Sequence, residues 1–116
     1  MLMTSLVVLA LALGPSAQDL KPSSPRVIRI SAERFAFTPS EIVVERGAVI
    51  EFHLTSEDTD HGFRIIGTEV DVQIPKRRRG ETVVRYTADT AGRFIIECSR
   101  PCGAGHTAMR ATLVVT

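Results

Sequence analysis

Twelve residues, Cys98-Ser99-Arg100-Pro101-Cys102-Gly103-Ala104-Gly105-His106-Thr107-Ala108-Met109, constrain the fold of this chain more than any other stretch. Two thiols, an imidazole and a thioether fall within one short segment. These are soft or borderline donors, the set that selects copper in its lower oxidation state, or zinc. The strand-like run Phe94-Ile95-Ile96-Glu97 leads into the segment, and Ala111-Thr112-Leu113-Val114-Val115 leads out. Pro101, Gly103 and Gly105 disfavour a regular helix between them. A tight turn between two strands is therefore expected, where a rigid scaffold can aim the donors at one point. A further imidazole, His61, stands in Asp58-Thr59-Asp60-His61-Gly62-Phe63. The rest of the chain makes sense as a frame that brings His61 to the loop.

The body of the chain carries no helical period. It reads as short apolar runs separated by turn residues, the pattern of a sandwich or barrel. Ile28 and Ile30 share a face, Phe35 and Phe37 follow, and Thr38-Pro39-Ser40 breaks the run. Glu41 to Glu45 is the next strand, with a turn at Arg46-Gly47. Ala48 to Leu54 alternates most clearly: Ile50, Phe52 and Leu54 on one face, Val49, Glu51 and His53 on the other. His53 is thereby assigned to the surface and set aside as a ligand. Val70, Val72 and Ile74 alternate, the basic loop Lys76-Arg77-Arg78-Arg79-Gly80 follows, and Thr82 to Tyr86 is a further strand. Phe94, Ile96 and Cys98 share a face, which starts Cys98 at the core-facing edge. About eight short strands after the leader predict an all-β Greek-key sandwich.

The N-terminus differs. Leu6 to Leu13 is uninterrupted and apolar, and Gly14-Pro15-Ser16-Ala17-Gln18 follows. This resembles a secretory signal peptide over residues 1–17 with a small-residue cleavage region. Residues 18–25, with Pro22 and Pro25, read as a linker, and residues 26–116 as one domain. The apolar run is too short to span a bilayer, which needs about 20 residues. A periplasmic or secreted location without a stable membrane span is expected. The formal net charge of +1 gives no reason to invoke nucleic acid.

Two cysteines in an exported chain suggest a disulfide. Cys98 and Cys102 are too close in sequence for one to matter much, since closing so small a loop stabilises by about 2 kcal/mol. The spacing suits a shared metal better. His61, Cys102, His106 and Met109 make up a blue-copper ligand set, which leaves Cys98 surplus. Alternatively both thiolates bridge two copper ions, with His61 and His106 binding one each and Met109 binding weakly.

Cys-x3-Cys-x3-His-x2-Met, with glycine after the second cysteine, resembles the dinuclear copper (CuA) motif of cytochrome c oxidase subunit II and nitrous oxide reductase. Asp60-His61-Gly62-Phe63 is similar to the segment of that family bearing the first histidine, and Val70 to Arg77 to the stretch between. Glu41 to Ser56 is similar to the early strands of the wider cupredoxin superfamily. The resemblance covers about Arg26 to Thr116. It implies bridging roles for Cys98 and Cys102, terminal ligation by His61 and His106, and a weak bond from Met109. It also implies that Arg100 binds through its backbone carbonyl, where the family usually has Glu. Phe63 replaces the usual Trp. The two transmembrane helices of an oxidase subunit II have no counterpart in this sequence, so a stand-alone domain is expected.

These readings converge on an exported electron carrier with a two-copper centre, serving a redox partner such as a cytochrome or a terminal oxidase or reductase. A copper chaperone or storage protein is the alternative, and a mononuclear blue-copper carrier the next. An enzyme is not expected: the evident ligands are all spent on the metal, and no separate nucleophile–base pair is visible.

Overall fold

Alternating hydrophobicity produces strands throughout the body of the chain. The computed structural model describes residues 9–11, 14 and 24–116; the expected signal peptide and linker fall largely outside these described residues. Nine strands form among the described residues, against about eight expected: β1 (Arg26–Glu33), β2 (Ala36–Thr38), β3 (Glu41–Val44), β4 (Val49–Ser56), β5 (His61–Ile65), β6 (Asp71–Ile74), β7 (Thr82–Thr87), β8 (Gly92–Glu97) and β9 (Arg110–Val115). A single 3-10 turn, His106–Ala108, is the regular element inside the ligand loop. It is closed by Ala108 N donating to Gly105 O at 3.0 Å and Met109 N to His106 O at 3.2 Å.

Two sheets make the sandwich, in the orders β2-β1-β4-β7 and β3-β9-β8-β5-β6. β1 runs parallel to β4, and β3 parallel to β9; the other pairs are antiparallel. In β4, Ile50, Phe52, Leu54 and Ser56 are buried while Val49, Glu51, His53 and Thr55 are half-buried. That pattern is the period of two that places successive side chains on opposite faces.

The core holds Phe37, Phe52 and Phe63, with aliphatic neighbours such as Ile30, Leu54, Ile65, Ile96 and Leu113, all fully buried. Each such side chain contributes about 1.5–3 kcal/mol on leaving water. Phe63 meets Phe37 edge-on, with ring centroids 5.9 Å apart at 88°, and Phe52 at 5.3 Å. These are favoured aromatic geometries. Phe63, next but one to His61, thus anchors β5 in the core.

Register then determines what His61 faces. β5 pairs antiparallel with β8, with Arg64 opposite Glu97 and Ile65 opposite Ile96. Each residue from Arg64 towards His61 therefore lies further past the end of β8, into the loop that starts at Cys98.

Candidate metal centre

The ligand loop is pinned at its base, where Cys98 N donates to Met109 O at 3.1 Å. Both cysteines are buried and free, with sulfurs 3.7 Å apart. That separation is far beyond the roughly 2.05 Å of a disulfide. His61 Nδ1 lies 3.9 Å from Cys98 Sγ, and His106 Nδ1 lies 3.6 Å from Cys102 Sγ. Met109 Sδ is 3.9 Å from Cys102 Sγ, and the Arg100 carbonyl accepts from Cys98 Sγ at 3.1 Å. A pair of sulfurs thus occupies the centre, an imidazole approaches each one, and a thioether and a carbonyl complete the group. The donor atoms of His61, Cys98 and Cys102 all lie within 4.8 Å of one another. All six residues singled out in the sequence come together here. His61 and Met109 are fully buried, and His106 is half-buried.

Residues beyond that set orient it, and sequence reasoning missed them. Asp58 Oδ1 accepts from His61 Nε2 at 2.6 Å. An ionised carboxylate is an acceptor only, so it fixes the proton on Nε2 and leaves Nδ1 as the unprotonated nitrogen facing Cys98 Sγ. Burial pushes the Asp58 carboxyl up, but hydrogen bonds from Arg34 N, His61 and Thr59 N together outweigh it and hold it below its usual range. Arg34 N donates to Asp58 Oδ2 at 2.9 Å, and Arg34 Nε donates to Cys102 O at 2.8 Å. An acid three positions before a histidine was a possible signal for Asp58. Nothing local marks Arg34.

Two glycines make the close packing possible. Gly62 N donates to Cys98 Sγ at 3.4 Å, and a Cβ on Gly62 would lie 2.7 Å from Ser99 N and 2.8 Å from Arg100 N. A Cβ on Gly105 would collide with the Phe35 ring, because that ring rests on the ligand loop.

The residues fit a soft metal. Burial first, then the hydrogen bond and charge of Cys98, push the Cys102 thiol up to about 11, against a smaller opposing pull from Arg34. The thiol is protonated in neutral solution, and a thiophilic metal would displace that proton. Two thiols, two imidazoles and a thioether at one buried point suit copper.

His53 lies on the outer face of its sheet, as expected, with Nε2 2.7 Å from Glu51 and Nδ1 3.3 Å from Glu81. The basic loop is exposed, yet its backbone is tied to the His61 loop: Lys76 N donates to Asp60 Oδ1 at 2.8 Å and Arg77 N to Asp58 O at 3.0 Å. A groove of about 660 Å³ opens between β6 and β7, lined by residues such as Val72, Val84, Tyr86 and Phe94. It contains none of the ligands.

No protein-family model matches the chain. The chain is 39% identical over 102 residues to a cytochrome c oxidase subunit 2 of Thermus thermophilus, covering 85% of this chain and 73% of that protein. It is equally similar to the same subunit from a further strain of Thermus thermophilus, of which it spans 59%. The periplasmic domain of subunit II of cytochrome oxidase from Bradyrhizobium japonicum superposes with a TM-score of 0.72 at 20% identity, over 82% of this chain and 86% of that one. Auracyanin A, a blue copper protein of Chloroflexus aurantiacus, superposes with a TM-score of 0.63 at 16% identity, over 80% of this chain and all 100% of that one. At these identities the solved structures speak for the fold alone, a cupredoxin-like sandwich.

Proposed function

Because this chain belongs to the cytochrome c oxidase subunit 2 family, we propose that its cysteine–histidine cluster holds a CuA-like centre of two copper ions. Its role is that of a cupredoxin-type copper electron-transfer domain. One observation carries the two-copper reading: each sulfur of the central pair has its own imidazole, His61 beside Cys98 and His106 beside Cys102. A single copper needs one thiolate, and Cys98 would then be an idle buried thiol at its edge. In the two-copper reading Cys98, Cys102, His61 and His106 would be the principal ligands of the two ions, with Met109 a weak one and Arg100 contributing its backbone carbonyl.

Copper supplies reversible one-electron chemistry. The chain supplies the rest. Burial of His61, Cys98, Cys102 and Met109 keeps water from the donors. Strands β5, β8 and β9 and the Asp58 hydrogen bond hold those donors in place whichever oxidation state they serve. Small rearrangement on electron transfer is the requirement such a cage meets.

The reading extends to an exported domain, periplasmic or secreted, that exchanges electrons with a cytochrome or with a terminal oxidase or reductase. Among the described residues no helix is long and apolar enough to cross a membrane.

Anaerobic copper reconstitution followed by electron paramagnetic resonance tests the two-copper centre. Two coppers per chain and one unpaired electron shared between two nuclei are expected. Cys98→Ser should abolish that shared signal. An unchanged spectrum in Cys98→Ser would remove the bridging role and leave the mononuclear reading.

A further inference from the structure

The ligands belong to strands and loops of one sheet, yet a turn of the opposite sheet touches both halves of the set. Arg34 and Phe35 form the two-residue turn between β1 and β2, where Glu33 pairs with Ala36. Through its backbone, Arg34 N holds Asp58 Oδ2, and the other oxygen of that carboxylate holds His61. Through its side chain, Arg34 Nε holds the carbonyl of Cys102 at 2.8 Å. Phe35 lies over the backbone between Cys102 and His106, against Gly103 and Gly105. No carboxylate forms an ion pair with the Arg34 guanidinium among the described residues.

We propose that the Arg34–Phe35 turn is a positioning clamp for the metal centre, and that the Arg34 charge biases its redox equilibrium. The proposal rests on the copper reading above. Its first part follows from connectivity. Asp58 orients His61, and the Cys102 carbonyl belongs to the loop that presents His106 four residues on. One turn fixes both, so the His61 side and the His106 side cannot shift independently. The Phe35 ring adds a flat apolar cover where the loop has only glycine to offer. The second part follows from Coulomb's law. A guanidinium hydrogen-bonded to the Cys102 carbonyl, and outside any ion pair among the described residues, disfavours additional positive charge on the neighbouring centre. It therefore favours the reduced state. Arg34 does not ligate; it acts through Asp58 and Cys102.

The variants separate the two parts. Arg34→Gln removes the charge and the Nε donor but leaves the backbone amide. Copper loss to a chelator should accelerate at least tenfold. The redox equilibrium should shift about tenfold toward the oxidised centre, roughly 59 mV lower for one electron. Arg34→Lys keeps the charge but lacks the planar Nε donor, so its potential should return close to wild type while copper loss stays fast. Phe35→Leu should speed copper loss with the potential little changed. In the metal-free protein, amide hydrogen exchange of His106, Ala108 and Met109, the hydrogen-bonded amides of the loop's 3-10 turn, should rise in Arg34→Gln while β4 and β8 keep their protection. A merely structural arginine would not separate potential from retention in this way. If the wild type takes up no copper, the copper reading fails, and hydrogen exchange still decides the clamp. Unchanged loop protection in Arg34→Gln overturns the clamp, and an unchanged potential overturns the electrostatic part. If Arg34→Gln does not fold, Arg34→Lys decides instead: wild-type copper retention there overturns the proposal.

Discussion

Asp58 holds His61 by a 2.6 Å hydrogen bond to Nε2, and this leaves His61 Nδ1 as the atom turned toward Cys98 Sγ, 3.9 Å away. The imidazole is fully buried, so its orientation is not averaged by solvent. Without the carboxylate, the buried Nε2–H would lose its partner, and the competing tautomer would present a proton to the metal. Such supporting partners typically change metal affinity by about 10–100-fold. Asp58→Ala should lower copper affinity by about that range, measured by competition with a calibrated Cu(I) chelator. Wild-type affinity would show that the strand β5 backbone alone orients the ring.

Gly62 is a packing requirement with a measurable cost. An added methyl would meet the backbone nitrogens of Ser99 and Arg100, which cannot rotate away as a side-chain tip can. Forcing such a contact costs about 1–3 kcal/mol. Gly62→Ala should therefore lower the unfolding free energy of the metal-free protein by about that amount in urea titration, and also loosen copper. A smaller stability loss with normal copper uptake would mean that the 98–102 loop yields easily.

Ligation by Cys102 would make copper uptake pH-dependent. Its thiol is pushed up to about 11 in the folded protein, from an ordinary 9.0, mainly by burial. Copper binding must expel that proton, so apparent affinity should climb by about tenfold per pH unit for this proton through the neutral range. Direct proton release on copper addition to weakly buffered protein is the measurement; none released would contradict thiolate ligation by Cys102. The same shift has a consequence for the metal-free protein. The folded state holds this proton more tightly than the unfolded chain does. The resulting stability is fully present below pH 9.0 and is lost as pH rises through about 11.

Much of this site was legible because its information is local. Cys98, Cys102, His106 and Met109 lie in one loop, and the strand alternation that begins Cys98 at the core edge is a local pattern. His53 was correctly placed on the outer face by the same period, since Ile50, Phe52 and Leu54 define the inner one. The parallel pairings β1–β4 and β3–β9 were not legible, because no turn connects those strands and nothing in either run names its partner. The Arg34–Cys102 contact, 68 residues apart in sequence, was illegible for the same reason. Phe35 reads as one more core aromatic until the fold shows it lying on Gly105.

Whether the copper stays or leaves separates a carrier from a chaperone. A carrier must retain its metal through many turnovers, whereas a chaperone must release it to an incoming ligand. The four donors His61, Cys98, Cys102 and Met109 are buried, and a chelator's thiol can reach them only if the loop opens. Opening breaks the Cys98 N to Met109 O bond at the loop base and the Arg34 bond to Cys102 O. His106 is half-buried and Arg100 is exposed, so the set is partly open on their side. A pre-organised cage of this kind loses little on reduction, because thiolates and a thioether suit the lower oxidation state of copper as well as the higher. Repeated one-electron cycling of the reconstituted protein with a small redox mediator, beside an equimolar high-affinity Cu(I) chelator, should leave the copper in place over the turnover period. Rapid stripping on the first reduction would reject the carrier and make delivery of copper to a partner the better account of the same ligands.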